Sequence, residues 1–147
     1  MANDLSLIDT IAQNIKTEIG VLDTQYVTKL YDTTISLVRG KYGFNVIPIE
    51  FITREFTDVS SLPNIRLDLF CYYTMKSDEV RDQQWSVFLG VLNTIRNTFL
   101  TKAKIPSPLA TVKIDVNFHD DLLDIKAGTR AINSVMSFIY QKYALNT

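Results

Sequence analysis

The residues with the best claim to chemistry surround the only histidine, His119, which is followed by Asp120 and Asp121 and lies within five positions of Asp115 and Asp124. Imidazole nitrogen and carboxylate oxygen are the donors of a hard-cation or mixed metal site. The spacing fits no calcium loop, since no glycine makes the turn and no glutamate closes the set. A solvated acidic connection between two strands is the simpler reading. Nucleophilic catalysis needs a serine or cysteine beside a base that a third group orients. Nothing links His119 to a serine, and the single cysteine, Cys71, falls in an alternating apolar run as a small core residue. Asp68 and Glu50 lie on strand faces, where Arg66 and Arg54 offer a cross-strand charge ladder instead of a catalytic carboxylate pair. The five glycines are scattered, so no phosphate-cradling loop exists. Arg39, Lys41, Lys102 and Lys104, with Tyr72 to stack a base, are too dispersed for a nucleic-acid site and read as ordinary surface cations. The expectation is a protein that is not an enzyme, holds no cofactor or metal, and recognises no nucleic acid directly.

The elements that must position these residues centre on 64–100. From Asn64 to Tyr73 the apolar Ile65, Leu67, Leu69, Cys71 and Tyr73 alternate with Arg66, Asp68, Phe70 and Tyr72, which predicts a half-buried strand. Ser77 is then positioned to cap a helix with Asp78 and Glu79 in its first turn. Trp85, Phe88, Val91, Leu92, Ile95 and Phe99 recur at three- and four-residue steps, forming a stripe that can lie across a sheet.

Upstream, Leu5 to Ile19 predicts an amphipathic helix with Gly20 as its C-cap. Residues 21–43 fit helix or strand, with extended structure preferred, and Gly40 and Gly43 mark a turn. Val46 to Phe56 predicts a strand with Ile47, Ile49 and Phe51 on one face and Glu50, Ile52, Arg54 and Phe56 on the other. Pro48 within it demands an edge or a solvent-facing amide position. Residues 57–63 then form a polar connection. Downstream, 101–108 reads as a linker rich in proline, and 111–118 alternates as a strand. Residues 131–143 are apolar on both parities, which suits a strand covered on both faces or a buried helix. The fold class is therefore α+β: a mostly antiparallel sheet with an N-terminal helix and a long central helix packed on it.

The 147 residues suit a single domain, and 46% hydrophobic content is enough for its core. A net charge of −1 supplies no field for drawing in nucleic acid or an anionic membrane. No apolar run approaches the ~20 residues of a membrane span, and the polar N-terminus does not resemble a signal peptide. A cytosolic protein, or part of something assembled there, is expected. The outer sheet faces are unexpectedly apolar at Phe70, Tyr72, Ile52 and Phe56. Such a surface needs covering, either by the helix at 5–19 or by another copy of the chain.

The element order resembles that of the tail-terminator proteins of long-tailed bacteriophages: N-terminal helix, hairpin Val46–Phe51 with Ile65–Tyr72, long helix, and final strand pair. The ending is the most similar part, Val112–Asp121 followed by Ala131–Tyr140, two strands joined through an acidic loop. The resemblance implies a virion protein forming a six-fold ring that caps the tail tube, halts its polymerisation and meets the neck or head-completion connector. Its partners are then itself, the tail tube protein and the connector, with no membrane involved. It also implies strands at 26–38 and 131–143, with the loops 53–63 and 119–130 touching tube or connector. The candidate self-association or partner surface is Ile52, Arg54, Glu55, Phe56, Asp58, Arg66, Asp68, Phe70, Tyr72, His119, Asp120 and Asp121. A competing reading is a monomeric intracellular binding module that holds a peptide or small ligand on its sheet through Phe70 and Tyr72.

Overall fold

The structure is a computed structural model that describes residues 5–34, 38–56, 60–101, 105, 109, 111–119, 124–126 and 129–141. Two helices, α1 (Ser6–Leu22) and α2 (Arg81–Leu100), lie over one face of a sheet. The strands are β1 (Val27–Leu30), β2 (Tyr42–Phe56), β3 (Ser60–Thr74), β4 (Thr111–His119), β5 (Asp124–Lys126) and β6 (Thr129–Gln141). Their order across the sheet is β1-β2-β3-β6-β4, with β5 pairing β6, and every pairing is antiparallel except β1 with β2. This is the expected α+β class.

The stripe of α2 enters the core as its periodicity requires: Phe88, Leu92, Ile95 and Phe99 are buried, with Trp85 and Val91 packed at the margin. Leu7, Ile11, Ala12, Ile15 and Ile19 of α1 join the same core, which Ile65, Leu67, Leu69, Cys71 and Tyr73 floor from β3. Both helices therefore cover one sheet face, and α1 does not cover the other. Of residues 131–143, those up to 141 belong to strand β6, which sits between β3 and β4, and 142–143 lie outside the described residues. An inner position explains the apolar residues on both parities, because each face of β6 is packed.

Several expected boundaries move. Helix α1 runs through Gly20 to Leu22 and ends at Asp23, whose N–H donates to the Ile19 carbonyl. Ser77 does not cap α2, which begins at Arg81 with Asp82 in its first turn. Glu79 instead clasps the preceding loop, accepting 2.8 Å hydrogen bonds from the Tyr73 hydroxyl and a 2.6 Å bond from the Lys76 N–H. Of the strand expected across 26–38 the described residues form only β1, and 35–37 lie outside the described residues. Strand β1 stops at Tyr31, whose left-handed φ of 59° turns the chain away while its N–H donates to Val46. The connection taken as 57–63 is shorter, since β3 starts at Ser60.

The face assignment of β2 is corrected by a register shift between Pro48 and Glu50. Phe44 and Val46 face the core ahead of the bulge and Phe51 packs there after it, so Ile47 lies on the opposite face and Ile49 is 46% exposed. One extra residue inverts the parity of everything beyond it. Pro48 also finds the setting it requires, because β1 accompanies β2 only as far as Val46 and, among the described residues, that edge has no neighbour beyond it.

Candidate assembly surface

The face of the sheet away from the helices carries Gly43, Asn45 and Ile47 of β2, Arg66, Asp68, Phe70 and Tyr72 of β3, and Asn133, Val135 and Ser137 of β6. Tyr72 lies directly opposite Gly43, and a Cβ built on that glycine would sit 2.2 Å from the phenol ring. The ring thus lies across bare glycine backbone, the way an aromatic side chain covers a glycine in a sheet. Gly43 is a strand residue whose missing side chain makes room for Tyr72, not part of the expected turn. Beside it the Asn45 side-chain amide donates to the Thr34 carbonyl at 2.8 Å, which ties Thr34 to this end of the face.

These contacts correct the expectation of an open aromatic surface. Tyr72 is only 2% exposed within one chain, whereas its neighbour Phe70 is 37% exposed. Val135, Asn133 and Ser137 are buried as well. Of the two aromatics expected to face outward, Phe70 alone remains at the surface.

Below them, Arg66 and Asp68 form a two-pronged pair: Nε to Oδ1 at 3.1 Å and Nη2 to Oδ2 at 3.3 Å, with Nη2 also reaching the Ser137 hydroxyl at 3.4 Å. The Asp68 side chain is 10% exposed and that of Arg66 40%, so the carboxylate is held under its partner. The hydrogen bond and charge of Asp68 raise the Arg66 pKa above its ordinary value, with smaller help from Glu50 and Asp115. Glu50 stands opposite Arg66 in the register, but the ion pair that forms runs along β3 and not across strands, and Arg54 stands opposite Leu62, so the expected cross-strand ladder is replaced by a pair within one strand. Its role is to neutralise charge on a half-covered face.

The remaining candidates fall at the two ends of the sheet. Ile52, Arg54, Glu55 and Phe56 hold register positions opposite Asn64, Leu62, Ser61 and Ser60. The last described partner of β3 on β6 is Gln141, opposite Asn64, and four β2–β3 pairs lie beyond it, so among the described residues this end of the sheet is a two-stranded arm. At the other end β6 continues past Ala131, opposite Thr74, and pairs there with β5 through Asp124 opposite Arg130 and Lys126 opposite Thr129. His119 closes β4 at that end, opposite Asn133. Asp58, Asp120 and Asp121 lie outside the described residues.

Among the described residues no three His, Cys, Asp or Glu side chains gather as metal ligands. Cys71 is fully buried, with its Sγ 3.6 Å from the Leu69 carbonyl, and desolvation pushes its pKa far up, so the nucleophilic thiolate is not accessible there. Two recesses flank α2. One, of about 270 Å³, lies against the end of α1 beside Val87 and Gly90, and one of about 160 Å³ lies against β4 beside Leu89 and Phe118. Both fall short of the ~300–1,000 Å³ typical of small-molecule sites.

Sequence reasoning missed the apolar residues around the second recess. Leu89 falls off the α2 stripe and is exposed, and Phe118, which shares the face of Val112, Ile114 and Val116 on β4, is 53% exposed with its ring 5.9 Å from that of Trp85. The signal available for Leu89 was its position on an otherwise polar helix face. No helix among the described residues is long and apolar enough to cross a membrane. No model of a known protein family matches the chain, and no curated protein is significantly similar to it.

Proposed function

We propose that this chain is a non-enzymatic virion structural protein that forms a ring at the end of a bacteriophage tail tube, ends tube polymerisation and joins the tail to the neck connector. The observation that carries the reading is the pair of strand extensions pointing opposite ways from a single sheet: the β2–β3 arm at one end and the β5–β6 hairpin at the other. A protein standing between two different partners needs a contact at each end and a firm body between them. Here the body is the helix-backed core, and both contacts are elaborations of its own strands. The resemblance in element order supports the same reading. So does the shallowness of the recesses, which suits a protein that binds by surface. Lateral contacts in a ring draw on exposed apolar residues away from either end, among them Phe70, Val87 and Leu89. With a net charge of −1, association relies on shape and local pattern.

Electron microscopy of particles made without this protein tests the reading. Tails of irregular and excessive length are expected, and tails of normal, uniform length joined to heads would overturn it.

A further inference from the structure

We propose that β4 is a self-recognition edge, pairing antiparallel with β4 of a second copy about a two-fold axis through Ile114. Among the described residues β4 has a neighbour on one side only, β6, and its other edge ends the sheet. An open edge offers a row of backbone donors and acceptors to another strand. What identifies the strand is the side-chain pattern. Read outward from Ile114 in both directions, the segment is symmetric in character: Lys113 mirrors Asp115, Val112 mirrors Val116, and Thr111 mirrors Asn117.

In a two-fold pair centred on Ile114, each Lys113 faces the partner's Asp115 on the outer side of the sheet. Each half-buried Val112 faces the partner's Val116 on the helix side. Moving the centre by one residue sets Lys113 against itself or Asp115 against itself, and like charges directly opposite are unfavourable. A register centred between residues sets apolar against polar side chains throughout. One arrangement therefore satisfies charge and face together. In the single chain Lys113 and Asp115 lie 3.8 Å apart along the strand with well-exposed side chains, a weak pair that is readily exchanged for the cross-strand one. An edge lysine ordinarily discourages pairing, but here the aspartate two residues on makes the same charge selective for this strand's own copy. The inference does not rest on the ring reading, because this contact closes on itself as a dimer whereas a ring uses two different surfaces.

Sedimentation equilibrium on the full chain tests it, with circular dichroism to verify that each variant keeps the fold. Wild type is expected to dimerise reversibly, and Lys113→Asp or Asp115→Lys to raise the dissociation constant about tenfold or more, since each replaces two attractive pairs by two repulsive ones. Mixing the two single variants is expected to restore pairing, because each Asp then faces a Lys, and the double variant Lys113→Asp/Asp115→Lys is expected to dimerise like wild type. A wild type that stays monomeric at all concentrations, single variants that dimerise unchanged, or a mixture that fails to associate would each overturn the proposal. A larger ring indifferent to these charges would overturn edge pairing while leaving the ring reading intact.

Discussion

The two faces of β3 are made by alternate residues of one strand, yet they are buried by different means. Ile65, Leu67, Leu69 and Cys71 are sealed by α1 and α2, elements whose apolar stripes announce them. On the reverse, Tyr72 lies over the bare backbone of Gly43 and is 2% exposed, whereas Phe70, two residues earlier, remains at the surface. A strand's own alternation says which residues share a face but not what lies on that face. The helix-covered side is a continuous layer, and the other is covered piecemeal, so neighbouring positions there have unlike roles.

The largest expected effect tests the continuous layer against the patchwork. Leu67→Ala removes a fully buried side chain beneath the helices and should cost about 2–5 kcal/mol in urea unfolding. Phe70→Asp should cost well under that, about 1 kcal/mol or less, because its ring is already partly in water. Equal losses from the two would erase the distinction drawn here. A stable Phe70→Asp protein with weakened self-association would assign Phe70 to a lateral contact of the ring.

Next in size is the Tyr72–Gly43 pair. Gly43→Ala forces the ring aside and should cost about 1–3 kcal/mol, as overpacking does. In a Tyr72→Ala background the same change should become close to neutral, because nothing then occupies the space and alanine restricts the unfolded chain more than glycine does. Additive losses in that double-mutant cycle would mean that the two residues are not coupled. Tyr72→Asp, unlike Phe70→Asp, is expected to compromise the fold.

How much of this was legible depended on how local the cause was. The α+β class, the α2 stripe and the alternation of β3 follow from periodicities within single segments, and these were readable. The inverted parity beyond Pro48 was not, because a bulge changes no residue type and only the pairing with β3 reveals it. The cover over Tyr72 was not readable either, since it depends on a glycine 29 positions away being opposite in the register. Of the candidate surface, the Arg66 and Asp68 pairing was legible in kind, while the arms at the two ends emerged only once strand lengths were known. Where β2 and β3 overrun β6 is a property of three strands together, and no single run of residues encodes it.

The smallest effect at ordinary pH probes the helix-covered face through the titration of its phenols. On the helix side Tyr73 and Tyr42 have pKa values raised above that of an ordinary phenol, chiefly by desolvation, with Tyr42 pushed up to about 12 and Tyr73 helped by its hydrogen bond to the Glu79 carboxylate. Tyr140, buried beside Phe138, is raised for the same leading reason. A phenol whose pKa is higher folded than unfolded favours the fold fully below the unfolded value, near 10, and loses that contribution as pH rises through the folded value. Stability should therefore be flat with respect to these groups up to about pH 10 and fall between about pH 10 and 12. The ultraviolet absorbance of ionised tyrosine should appear late and together with the loss of ellipticity. In Tyr73→Phe that alkaline fall should be shallower, because one late-titrating phenol is gone, although the loss of the Glu79 hydrogen bond lowers stability by about 1 kcal/mol at neutral pH. If Tyr42, Tyr73 and Tyr140 ionised near pH 10 in a protein that stayed folded, the helix-covered face would not be a dry layer, and the contrast would fail.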